Sequence, residues 1–216
     1  FKDAEGMVGS IDDVSGDSGS FGIRYTLSDV AGTGVKFDYN YVPKWGSGDS
    51  TGDEGMSGSN GNENNRESHD VVLTGSVPGI EGLSLGAGYS SRDVSAGNSR
   101  EDGTAYATYA YGPVTIGYQL GAVAKGATGS EKDYRNTYAG ISYAVSDDLS
   151  VSYNKTESVL LTDDTAARIE QDFDSISLSY SMGGMTINVA DSDCSNCSYS
   201  IGRSQSETTV SLSVAF

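Results

Sequence analysis

The sequence predicts an all-β protein, an antiparallel up-and-down β-barrel that crosses a membrane with its strands. Three observations predict it. From residue 20 onward, segments of alternating apolar and polar residues follow one another; the connections between them are by turns short and long; and one of the two faces they define carries no charge.

The alternation defines eleven strands, near residues 20–27, 35–45, 69–77, 83–91, 103–111, 114–122, 134–145, 149–158, 172–182, 185–192 and 206–216. No helix of useful length competes. The best helical window, 162–171, has an Ala pair and some charge but no sustained apolar stripe, so it is read as a single turn inside a loop. The absence of a run of about 18 apolar residues excludes a transmembrane helix, but not a barrel, whose strands need only about 9–11 residues with every second one apolar.

Short connections fall at 28–34, 78–82, 112–113, 146–148 and 183–184, and long ones at 46–68, 92–102, 123–133, 159–171 and 193–205. Turns on one rim and loops on the other are the layout of an outer-membrane barrel, with turns in the periplasm and loops outside. A soluble sandwich has no reason to sort its loops in this way.

Splitting each strand by parity separates two chemistries. One set holds Phe21, Ile23, Tyr25 and Leu27, then Val35, Phe37, Tyr39 and Tyr41, and continues through Leu85, Ile116, Ile141, Val151, Leu178, Ile187 and Leu212 to Phe216, without a charge. The other holds Arg24, Thr26, Lys36, Asp38 and Asn40 and continues through Gly86, Gln119, Asn136, Ser152, Ser177, Asn188 and Ser211. Arg or Lys facing the bilayer midplane costs roughly 2–4 kcal/mol, which accounts for the chargeless set if it faces lipid. The small hydroxyl and Gly set then surrounds water. Aliphatic rows packed between two layers would refute this assignment. Tyr39, Tyr41, Trp45 and Tyr89 near the loop ends, and Tyr111, Tyr143, Tyr180 and Phe216 near the turn ends, fit two interfacial girdles.

The balance of 13 basic and 30 acidic side chains, a formal charge of −17, argues against a nucleic-acid partner. Recurrent Tyr and Phe within the alternation argue against disorder. Residues 1–20 contain no basic start followed by an apolar run, so a signal peptide has been removed or the true N-terminus is missing.

The final residues, Thr-Thr-Val-Ser-Leu-Ser-Val-Ala-Phe at 208–216, alternate and end on an aromatic. This resembles the closing strand of a Gram-negative porin, and the whole pattern is closest in style to the sixteen-stranded porins of alphaproteobacteria. The resemblance implies a water-filled channel for small hydrophilic solutes and ions, an integral outer-membrane location in contact with lipid, and a homotrimer. It also implies that Phe216 forms part of the signal read by the barrel-assembly machinery. Eleven strands would be the sixth to the sixteenth of sixteen, within a single barrel domain spanning 1–216. Residues 1–19, with Asp3, Glu5, Asp12, Asp13 and Asp17, would be the constriction loop, and 20–216 the barrel strands. A rival count finds a weak strand within 7–14, making twelve and letting the chain close by itself.

Porin transport needs no catalyst and no cofactor, only an open bore, a polar lining and a field across its narrow zone. Arg24, Lys36, Asp38 and Asn40 are the pore-lining candidates, directly after the acidic loop. Either they face it to orient solutes, or Arg24 only pairs with a loop carboxylate to hold the loop in place. Asp49, Asp53, Glu54, Asp163 and Asp164 read as solvated loop charge, and the adjacent pairs Asp12-Asp13 and Asp147-Asp148 lack the spacing of a calcium loop, so no metal is assigned. Cys194 and Cys197, in an oxidising location, suit a local disulfide in preference to free thiols. His69, the one histidine, opposes a His-based triad and sits at the rim. The alternative is a non-pore outer-membrane barrel: an enzyme, which would need a partner for His69, or a structural or adhesive barrel, which would need a filled interior.

Overall fold

The computed structural model describes residues 23–42, 67–95, 98–124, 132–162 and 168–214. They form β1 (Ile23–Leu27), β2 (Val35–Val42), β3 (Ser68–Ser76), β4 (Leu83–Ser95), β5 (Asn98–Tyr111), β6 (Val114–Ala124), β7 (Lys132–Ala144), β8 (Leu149–Thr162), β9 (Ile169–Met182), β10 (Met185–Ser195) and β11 (Ser204–Val214). A 3-10 turn, Cys197–Tyr199, precedes β11.

All eleven strands lie in one sheet in chain order, each antiparallel to the next, with β1 and β11 at its two edges. The sheet is not closed among the described residues. It is all-β and up-and-down, as the alternation predicts. No second sheet or helix covers either face among the described residues.

The turns explain why the chain reverses where it does. At Gly183 (φ 57°) and Gly184 (φ 86°), both central residues of a two-residue hairpin are left-handed, which matches the twist of the flanking strands and which glycine adopts without strain. Gly112 (φ 55°) followed by Pro113 makes the β5–β6 turn equally short.

Several strands run further toward the long loops than the apolar alternation does. β9 begins at Ile169, so the tail of the predicted helical turn is strand, and residues 163–167 lie outside the described residues. β4 and β5 likewise take up most of the predicted loop at 92–102. The physical reason is that a strand keeps donating and accepting along its neighbour's backbone whatever its side chains are. Ladder pairing therefore outlasts the lipid-facing row: Asp174 pairs with Lys155, and Asp172 with Glu157.

Among the described residues, the packed apolar clusters lie on the hydroxyl-bearing face, toward the long loops. One joins Val123, Tyr134 and Leu160, with Tyr199 against it; the other joins Phe173, Cys194 and Cys197.

Candidate functional site

The register separates the two faces that the parity predicts. Ile116 on β6 stands beside Ile141 on β7, Ile141 beside Tyr153 on β8, and Tyr153 beside Ile176 on β9, so the aliphatic rows run continuously across the sheet. These side chains are exposed, Ile176 at 59% and Leu212 at 61%. The opposite face is the enclosed one. Asp38, Ser90, Asp102, Asn136, Ser158 and Ser192 are buried there, although no second sheet lies over them among the described residues. A single layer buries its polar side chains in this way when it curls toward them, as a barrel wall curls toward its lumen.

The girdle positions are on the aliphatic face. Tyr111, Tyr143 and Tyr180 are exposed at the turn ends, and Tyr89 is exposed near the loop ends. His69, also near the loop ends, shares a 2.7 Å hydrogen bond between Nδ1 and the Tyr39 hydroxyl, and its ring centroid lies 4.8 Å from that of Tyr41. Trp45 and Phe216 lie outside the described residues.

Arg24, Lys36, Asp38 and Asn40 share the enclosed face on the adjacent strands β1 and β2. Asp38 is the hub. Its carboxylate accepts from Arg24 Nη2 at 3.0 Å and from Thr26 Oγ1 at 2.5 Å, and Lys36 Nζ lies 2.6 Å from its other oxygen. Two cations on one anion leave this patch of wall with a net positive charge. Beside it, Asn40 and Ser90 both donate to Asp70, at 3.1 and 2.6 Å. The constriction-loop candidates Asp3, Glu5, Asp12, Asp13 and Asp17, the weak strand within 7–14, and the loop carboxylates Asp49, Asp53, Glu54, Asp163 and Asp164 lie outside the described residues.

The enclosed face is less thin than its Ser and Gly content suggests. On β5, Arg100 Nε donates to Asp102 at 2.8 and 3.1 Å, and the Tyr106 ring occupies the space beside Gly86, where a Cβ would collide with it. The signal for these residues was present, because Arg92, Arg100 and Asp102 keep the parity of Ser90 and Thr104. A loop over 92–102 conceals that parity, and the strands β4 and β5 restore it.

Cys194 and Cys197 form a disulfide with 5.7 Å between their Cα atoms. Past it, Tyr199 turns back over the wall: its N–H donates to Gln171 Oε1 at 3.2 Å and its hydroxyl lies 2.6 Å from Ser158 Oγ. Because Ser158 directs its own proton to Asn136 Oδ1 at 2.6 Å, Tyr199 is the donor in that pair.

Beyond the apolar rows, the outer face becomes charged. Glu157, Glu170 and Asp172 bring one carboxylate oxygen each within 4.8 Å of one another, and Lys155 Nζ lies 2.7 Å from Glu157. On this extension above the lipid-facing rows, burial and then the Glu170 charge push the Asp172 carboxyl above its ordinary range. No spacing in the sequence announced this trio, since its members come from two strands. The Tyr153 hydroxyl donates to Asp174 at the boundary, as a girdle residue with a wet end does.

A comparison with curated proteins finds no match. The profile of the family described as Gram-negative porin matches residues 1–192, which takes in β1 to β9 and most of β10. With that match over most of its length, one antiparallel sheet, an exposed aliphatic face and an enclosed polar one, the chain belongs to the Gram-negative porins, channel proteins of the outer membrane.

Proposed function

We propose that the chain lines a water-filled channel for passive diffusion of small hydrophilic solutes and ions, with a preference for cations. The observation that carries this reading is the reversal of ordinary burial: aliphatic rows lie open while Ser, Asn and Asp are enclosed. Only a molecule solvated by hydrocarbon outside and water inside gains from that arrangement.

In this reading the chain is a single barrel domain whose long loops face the exterior and whose short turns face the periplasm. The acidic segment 1–19, with Asp3, Glu5, Asp12, Asp13 and Asp17, supplies the negative side of the narrow zone, and Arg24 and Lys36, bridged by Asp38 with Asn40 beside it, the positive side. A negative loop against a positive wall sets a transverse field that orients dipolar solutes in the narrow zone. Asp38, itself on the wall strand β2 and not on the loop, fixes the two cations in position. The complete barrel has sixteen strands and assembles as a homotrimer, and Phe216 is read by the barrel-assembly machinery.

The test is reconstitution of the full-length protein into planar bilayers and into vesicles loaded with neutral sugars. Discrete conductance steps, with sugar entry that falls as the sugar grows, are expected. Folded, inserted protein that neither conducts nor admits sugars would overturn the channel reading.

A further inference from the structure

The loop between β10 and β11 turns over the enclosed face instead of away from it. Cys194 stands in the row of Phe173 on β9 and Thr156 on β8. Its disulfide to Cys197 brings the chain back across Phe173, which is 1% exposed. Asn196, Ser198 and Tyr199 have φ of 51°, 56° and 54°, a left-handed conformation that L side chains disfavour. The turn is held in it by what it reaches: Asn196 Nδ2 donates to the Glu170 carbonyl at 2.9 Å, Tyr199 bonds Gln171 and Ser158, and its ring centroid lies 5.3 Å from that of Tyr134 on β7. From β10 to β8 is two strand spacings, about 10 Å of wall. A segment that crosses that distance on the lumen side occupies bore.

We propose that residues 194–199 form a second constriction at the long-loop mouth of the pore, with Tyr199 as the residue that limits solute size there and the disulfide as its anchor. The proposal rests on the channel reading above and adds a narrowing separate from the one assigned to residues 1–19. Tyr199 is suited to this position because its ring fills space while its hydroxyl is committed to Ser158, so the ring is fixed across the wall. Without the Cys194–Cys197 link, the left-handed turn is free to relax, and the ring loses its support from β10.

The test uses the full-length protein in planar bilayers and in vesicles with neutral sugars of graded size. Tyr199→Ala is expected to raise unit conductance and admit larger sugars. Tyr199→Phe, which keeps the ring and its packing on Tyr134 but loses the bond to Ser158, is expected to give a size limit between those of wild type and Tyr199→Ala. The Cys194→Ser/Cys197→Ser double variant, and assembled wild type treated with a reductant, are expected to move in the same direction as Tyr199→Ala. Reduction of assembled protein, with release of both buried thiols verified by labelling, needs no refolding, so the test holds even where a variant fails to assemble. If Tyr199→Ala and the reduced wild type conduct and sieve as untreated wild type does, the constriction is refuted. Wild type that inserts without conducting refutes the channel reading itself, a result seen before any variant is compared.

Discussion

Asp38 holds two cations and a hydroxyl on one carboxylate, and this concentrates the consequences of changing it. Asp38→Asn removes the anion and leaves Arg24 and Lys36 unneutralised on the enclosed face, so the local charge of that face rises by one unit. The expected outcome is a weaker cation preference, read as a reversal potential shifted toward the anion side in a salt gradient. An unchanged potential would mean that this cluster lies outside the conducting path. A second prediction concerns glycine. Gly82 (φ 81°) accepts the Ala110 N–H at 2.9 Å, and a Cβ on it would collide with the Ala110 carbonyl, whereas one on Gly112 (φ 55°) would meet nothing within 4 Å. Gly112→Ala therefore carries only the left-handed cost of roughly 1–2 kcal/mol, while Gly82→Ala adds a backbone clash to it. Urea titration of vesicle-folded protein, followed by gel mobility, is expected to rank Gly82→Ala well below Gly112→Ala; equal midpoints would contradict the turn geometry.

Within a strand, neighbouring residues sample two solvents, and β7 offers the sharpest comparison. Ile141 is exposed on the aliphatic face between Ile116 and Tyr153, and Ser142 stands on the enclosed face between Thr115 and Ser152. Ile141→Arg is expected to lower folding stability in lipid by roughly 2–4 kcal/mol, and Ser142→Arg to cost far less while changing conductance. Equilibrium unfolding from vesicles measures the first difference, and comparable losses from the two substitutions would invert or abolish the face assignment. The same period-two logic explains what was legible beforehand. Strand existence, the antiparallel order and the two faces follow from local alternation, and Arg24, Lys36, Asp38 and Asn40 share a face by parity alone. The inward turn at Tyr199 was not legible. It depends on Ser158 and Gln171 arriving from two other strands, and 41 residues separate Tyr199 from its Ser158 partner. The Glu157, Glu170 and Asp172 trio was hidden for the same reason, since cross-strand register, not spacing, brings it together.

The whole molecule carries a formal charge of −17, and Asp70 carries part of it onto the enclosed face, where Arg100 offsets Asp102. In the channel reading proposed above, a low-dielectric wall around a water-filled bore focuses such a field, and cations are expected to concentrate at the entrance relative to bulk. The positive cluster at Asp38 opposes this locally, but it stands on two strands of eleven, and the charge total decides the long-range field. The expected outcome is a reversal potential of cationic sign in a potassium chloride gradient. Screening then makes the claim quantitative. The Debye length falls from about 10 Å at 0.1 M salt to about 3 Å at 1 M, so the preference should shrink steeply across that range if it arises from charges spread around the mouth, and persist if it arises from a narrow ring. Acidification supplies the sign check: exposed carboxylates lose charge near their reference values of about 4, so selectivity should decline as the pH falls toward that value and recover on return. A potential of anionic sign at neutral pH, or a cationic one indifferent to both salt and acid, would show that the net charge of the molecule does not govern what passes through it.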